Sequence, residues 1–273
     1  MPFFTNDPVS LFYTTHGRKG GPPIILLHGW ACDSHDWSHQ IPLLVSLGFN
    51  VIALDLRGHG RSSAPQSISD YSMRAFAGDV AALLLHLDVG PAIVMGHSMG
   101  TIIASVLAVE HPTCVKALIL AHPIYSGAPP ALVTMTKAMC DDISGAPEVV
   151  ADFFERHMYT DQTPDWLKTW HIRRVLGSDG FMLAGCGQAI VDLFDKVVGQ
   201  TEETKAFMQK RKIPRLVFPT NALLAAASWE EKLGLGPLDG FCAMQEGTFS
   251  HFVDSEAFNQ TVENWLKDRK FVD

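Results

Sequence analysis

Residues 92–110 read Ala92-Ile93-Val94-Met95-Gly96-His97-Ser98-Met99-Gly100-Thr101-Ile102-Ile103-Ala104-Ser105-Val106-Leu107-Ala108-Val109-Glu110, and this stretch decides the fold. The apolar run Ala92–Met95 predicts a strand covered on both faces. Thr101 to Glu110 predicts a helix. Between them lies a Gly-x-Ser-x-Gly turn at 96–100. A serine on so sharp a turn has a strained backbone and tolerates only small residues two positions to either side. Its hydroxyl points off the strand end toward the helix N-terminus. Two glycines and a serine in five residues also occur by chance. The strand before and the helix after make Ser98 a candidate nucleophile.

Working outward, Ile24–Leu27 and Val51–Leu54 are further apolar strand runs, and residues 9–15 are β-prone. A helix is predicted from Ser34 to Leu47, stopped by Gly48 and Asn50. Another spans Ser72 to Leu87, with Met73, Phe76, Ala77, Val80, Leu83, Leu84 and Leu87 on one face. Val115 to Leu120 is the next strand. Strands alternating with helices predict a parallel sheet built from βαβ units. The alternation stops after His122-Pro123. Residues 124–212 read as helical, with Gly and Pro breaks and many Met, Phe and Trp. Strands resume at Arg215–Phe218 and Phe241–Gln245, and a helix closes the chain over Phe258–Leu266. The expectation is one α/β core, residues 1–123 and 213–273, interrupted by a helical insertion at 124–212.

Composition narrows the function classes. The 273 residues carry 21 Lys+Arg against 29 Asp+Glu, a net charge of −8, so phosphate backbones and anionic lipid are not attracted. With 47% hydrophobic and 18% charged residues, the chain is globular rather than disordered. The apolar runs fall far short of the roughly 20 residues that cross a bilayer. No signal-peptide pattern opens the sequence. Five cysteines, Cys32, Cys114, Cys140, Cys186 and Cys242, are odd in number and far apart, which points to reduced thiols rather than a disulfide framework or a zinc motif. A cytoplasmic location is the expectation, with no nucleic-acid or membrane partner. No pattern in the sequence gives the oligomeric state.

A nucleophilic serine needs a base. His251, in Gly247-Thr248-Phe249-Ser250-His251-Phe252, follows the last predicted strand and comes after the serine in chain order, which singles it out among twelve histidines. Together, His28-Gly29-Trp30, Asp55-Leu56-Arg57-Gly58-His59-Gly60-Arg61-Ser62, Gly96-His97-Ser98-Met99-Gly100 and Ser250-His251-Phe252 resemble the α/β-hydrolase superfamily over nearly the whole chain. The resemblance implies a mostly parallel central sheet with helices on both faces and a helical cap inserted after strand six. It implies that the backbone N–H groups of Trp30 and Met99 form an oxyanion hole. It makes Asp55, Arg57 and His59 structural and turns the His97 ring away from the reacting centre. Asp79 reads as a cap or salt-bridge partner. His122, at the end of strand six, is a rim histidine or a substrate contact.

One position departs from that family. A triad needs an acid to orient the histidine. After Arg215–Phe218 the chain reads Pro219-Thr220-Asn221-Ala222-Leu223, with no carboxylate before Glu230, and Ala121-His122-Pro123 has none either. Three alternatives stay open. Asn221 holds the histidine tautomer, Glu230 or another carboxylate reaches in from elsewhere in the chain, or the pair works as a Ser–His dyad on an activated acyl group. The expected chemistry is a serine hydrolase. It would cleave a small or medium apolar ester, lactone or thioester through an acyl-enzyme, or transfer the acyl group, with no metal or organic cofactor. The alternatives are a cofactor-free dioxygenase of the same fold and a non-catalytic ligand-binding relative.

Overall fold

The structure is a computed structural model, and it describes residues 2–124, 130–193, 201–220, 229–245 and 247–272. Eight strands form one sheet in the order β1-β2-β4-β3-β5-β6-β7-β8. They are β1 (Phe3–Asn6), β2 (Val9–Gly17), β3 (Pro23–Leu27), β4 (Asn50–Leu54), β5 (Ala92–His97), β6 (Val115–Ala121), β7 (Arg215–Phe218) and β8 (Gly240–Phe241). The β1–β2 and β2–β4 pairings are antiparallel and the remaining pairings are parallel. β1 has no counterpart in the sequence reading, because its residues are too few and too polar to register as an apolar run. β8 is shorter than the expected Phe241–Gln245, and only an isolated Thr220–Met244 bridge continues it.

Period-two alternation sorts the sheet into two faces. Ile25, Leu27 and Val94 enter one apolar cluster with helices α2 (Met73–His86) and α3 (Met99–Glu110). Ile24, Leu26, Ile93 and Met95 enter the other, with α1 (Gln40–Ser46) and the C-terminal helix (Ser255–Asp268). α2 starts where its sequence says, since the Ser72 hydroxyl accepts from Ala75 N–H at 3.1 Å. The helix expected over 34–47 is broken into a 3₁₀ turn at Ser34–Trp37 and then α1.

Between β6 and β7 lie α4 (Pro130–Asp141), α5 (Ala146–His157), α6 (Asp165–Leu176), α7 (Gly180–Leu193) and α8 (Glu202–Met208). Their buried side chains, Met139, Val150, Phe154, Leu167 and Met182 among them, continue the first apolar cluster without a break. No helix among the described residues is long and apolar enough to cross a membrane.

Candidate active site

The carboxyl ends of β3, β5, β6 and β7 meet at one edge of the sheet, where open α/β folds bind ligands. Ser98 follows β5 with φ 50° and ψ −115°, a left-handed conformation that a serine adopts only under constraint. The constraint is packing. A Cβ at Gly96 would strike the Gly100 carbonyl oxygen, and one at Gly100 would strike the Leu27 carbonyl oxygen. Ser98 N–H donates to Ala121 O at 3.0 Å, and Thr101 N–H and Oγ1 both donate to Ser98 O, at 2.9 and 2.6 Å. Ser98 itself is half-buried, directly before α3.

The two N–H groups expected to hold an oxyanion are open. Met99 is the first residue of α3, so the helix leaves its N–H without an intrahelical partner. Neither it nor the Trp30 N–H donates to another described residue. The Trp30 peptide is fixed from its other side, since Gly29 O accepts from His28 Nδ1 at 2.8 Å and from Cys32 N–H at 3.3 Å. His28 Nε2 accepts from Leu56 N–H at 3.0 Å, so the ring is the neutral Nδ1–H tautomer. Burial lowers its pKa and keeps it neutral.

The histidines do not form a ready relay. His251 is fully buried, and neither ring nitrogen has a hydrogen-bond partner among the described residues. Its ring lies 4.3 Å from the ring of His97, 4.9 Å from Trp37 and 6.0 Å from Phe258. No hydrogen bond joins it to Ser98. Burial first, then the neighbouring His97, His171 and His122, push its pKa well below the usual value, the nearby Asp36 pulling the other way. The His97 ring is held in place. Its Nε2–H donates to Thr248 O at 2.7 Å, tying the elbow to the loop that carries His251. His122 sits at φ 52° beyond β6, with Nδ1 2.8 Å from Thr220 Oγ1, and burial lowers its pKa to about 3.

The third-member candidates resolve differently. Asn221 lies outside the described residues. Glu230 is corrected, because Arg211 Nη2 donates to both its oxygens, at 2.9 and 3.0 Å, and Arg215 Nε donates to Oε2 at 2.8 Å. It anchors two buried guanidinium groups and makes no hydrogen bond to His251. Asp79 and Arg57 pair as a structural bridge, with Nε 2.6 Å from Oδ2 and Nη2 2.8 Å from Oδ1. Asp55 takes Ser34 N–H and Arg61 N–H, at 2.9 Å each.

The structure adds groups that the sequence reading missed. Arg174, on α6, reaches the segment after β3. It donates to Ala31 O at 3.1 Å, to Asp33 Oδ1 at 3.1 Å and to Asp36 Oδ1 at 2.7 Å. Ala31 is itself left-handed, at φ 55°. Asp36 is fully buried. Burial works to raise its pKa, but the Arg174 guanidinium overrides this and holds the carboxyl well below the usual range. His171, also on α6, is buried with both ring nitrogens unpartnered among the described residues, and its ring lies 4.2 Å from Phe249. Phe249 touches Phe154 and Tyr159, each with ring centroids 6.2 Å away, so the loop bearing His251 packs into the helical insertion. The 138 residues separating Asp36 from Arg174 explain why no local pattern marked the pair.

The alpha/beta hydrolase fold family model matches residues 22–161, just over half of the chain, and the protein belongs to that family. A non-heme chloroperoxidase from Streptomyces lividans is 43% identical over 96 residues, which is 35% of this chain and 34% of that protein. A bifunctional esterase/perhydrolase from Acinetobacter calcoaceticus is 33% identical over 161 residues, 58% of this chain and 54% of that one. These matches span about a third to a half of the relatives' own lengths. The crystal structure of an enol-lactonase from Burkholderia xenovorans superposes with a TM-score of 0.82 at 22% identity, covering 97% of this chain and 100% of that one.

Proposed function

We propose that the protein is a serine hydrolase that forms an acyl-enzyme at Ser98 on a small or medium apolar ester, lactone or thioester. The observation that carries this reading is the left-handed Ser98 at the strand-to-helix turn. It directly precedes the Met99 N–H, and neither that group nor the Trp30 N–H is engaged by a described residue. Ser98 Oγ attacks the substrate carbonyl, and the two N–H groups receive the charge that develops on its oxygen. His251 takes the serine proton and returns it to the leaving group, and water then releases the acid. The relay has no carboxylate hydrogen-bonded to His251 among the described residues, so activated acyl groups are the substrates that suit it. The names of the esterase/perhydrolase and the enol-lactonase above support the ester and lactone classes.

A second reading rests on the burial of His251. With its ring sealed against His97 and Trp37 and unbonded to Ser98, the serine would be acylated or occupied without efficient release. A panel of p-nitrophenyl esters, lactones and thioesters separates the two. A hydrolase gives steady turnover that Ser98→Ala abolishes. A binding relative gives at most one equivalent of product per protein. Equal turnover by wild type and Ser98→Ala would overturn the assignment of Ser98.

A further inference from the structure

Three buried donors with no part in the proposed acyl transfer meet beside the elbow. Cys32 and Asp36 lie four residues apart on the segment after β3, and His97 ends β5. The Cys32 sulfur, an Asp36 carboxylate oxygen and a His97 ring nitrogen all lie within 4.8 Å of one another, and all three residues are buried. A second observation is independent of that clustering. His97 Nδ1 is buried without a hydrogen-bond partner among the described residues. Its other nitrogen is committed, since a carbonyl can only accept and Nε2 lies 2.7 Å from Thr248 O. The neutral ring therefore keeps an unshared electron pair on Nδ1, held in one orientation. A metal-binding histidine is held in the same way, its second N–H donated to a carbonyl.

The surroundings suit a cation. A Cβ on Gly29 would sit 2.8 Å from His97 Nδ1, so only a glycine lets that nitrogen lie against the segment after β3. Arg174 binds Asp36 chiefly through Oδ1, at 2.7 Å, with only a 3.4 Å contact to Oδ2. Asp33, Asp36 and Arg174 together leave one negative charge in the cluster. A divalent cation bound with loss of the Cys32 proton neutralises it.

We propose that Cys32 Sγ, the Asp36 carboxylate and His97 Nδ1 form a binding site for a divalent cation of the zinc class, with water as the fourth ligand. Thiolate, imidazole and carboxylate in a tetrahedral arrangement select zinc over the hard, oxygen-seeking magnesium and calcium ions. Binding releases the Cys32 S–H proton to solvent and transfers no electrons. Ligand distances of about 2.0–2.3 Å draw the donors inward by roughly 1 Å from their present spread. The bound ion joins the segment that carries Trp30 to the strand that carries Ser98, and stabilises the folded chain by mass action. The site does not depend on the acyl-transfer reading.

The test uses the full chain, stripped with a chelator and titrated with Co²⁺ alone, then Zn²⁺. One equivalent of Co²⁺ should produce a thiolate-to-cobalt charge-transfer band with tetrahedral d–d absorption. Zn²⁺ should displace it and raise Tm. Cys32→Ser should lose the charge-transfer band, His97→Gln should weaken binding at least tenfold, and Cys140→Ser should change neither. Absence of the band in wild type at saturating Co²⁺ overturns the site without reference to any variant. Persistence of the band in Cys32→Ser does so equally.

Discussion

At the scale of single residues, burial decides the protonation states around the elbow. His122 and His171 have pKa values lowered to about 3 and about 4 by burial, against about 6.5 in an unfolded chain. Between those values the unfolded chain binds protons that the folded chain excludes. Stability therefore rises with pH across that window and is lost as pH falls below about 6.5, by up to about 1.4 kcal/mol per pH unit for each histidine. Urea unfolding at pH 7 and pH 5 should show the wild type losing stability at the lower pH and His171→Phe losing less. Equal losses would mean that His171 ionises freely in the folded protein. Ser98 was legible in the sequence because the elbow is a local pattern of strand, glycines and helix. The place of His251 was legible only as a position after the last strand. Its side chain is directed by packing against Trp37 and Phe258, which are 214 and 7 residues away in sequence.

At the scale of elements, two buried ionic clusters tie the helical insertion and the late strands to the core. Arg174 links α6 to the segment after β3, and removing it would leave the Asp36 carboxylate buried without its counter-charge. Arg174→Met should destabilise the protein by about 3–5 kcal/mol. It should also slow acylation of Ser98 in the fraction that remains folded, because the loop carrying Trp30 loses its anchor. Thermal unfolding with single-turnover acylation measures both effects, and an unchanged acylation rate would remove the link between α6 and the reactivity of Ser98. Glu230 gives the opposite expectation. It binds Arg211 and Arg215 rather than His251, so Glu230→Gln should lower Tm while leaving acylation of the folded protein within about twofold of wild type. A large loss of acylation at unchanged Tm would return Glu230 to the site. Neither pairing could be read from sequence, since charge partners distant in the chain leave no periodic signal. The segment 34–47 shows the same limit, where one helix was expected but a 3₁₀ turn buries Asp36 and Trp37 before α1 begins.

At the scale of the whole molecule, the alternation of apolar strands and amphipathic helices carried the architecture. β3, β4, β5, β6 and β7 stand within two residues of where their apolar runs place them. The helical insertion was visible as the point where alternation stops, and the continuity of its apolar cluster with the core appears only in three dimensions. The sheet brings the ends of β3, β5 and β6 together, so that residues 30, 98 and 122 share one edge. On the proposed function, this edge activates Ser98. Intact-mass analysis after exposure to a fluorophosphonate tests it most directly. A single adduct on wild type and none on Ser98→Ala is the predicted result. A wild type that stays unmodified while folded, or a Ser98→Ala variant that still gains one adduct, would contradict it.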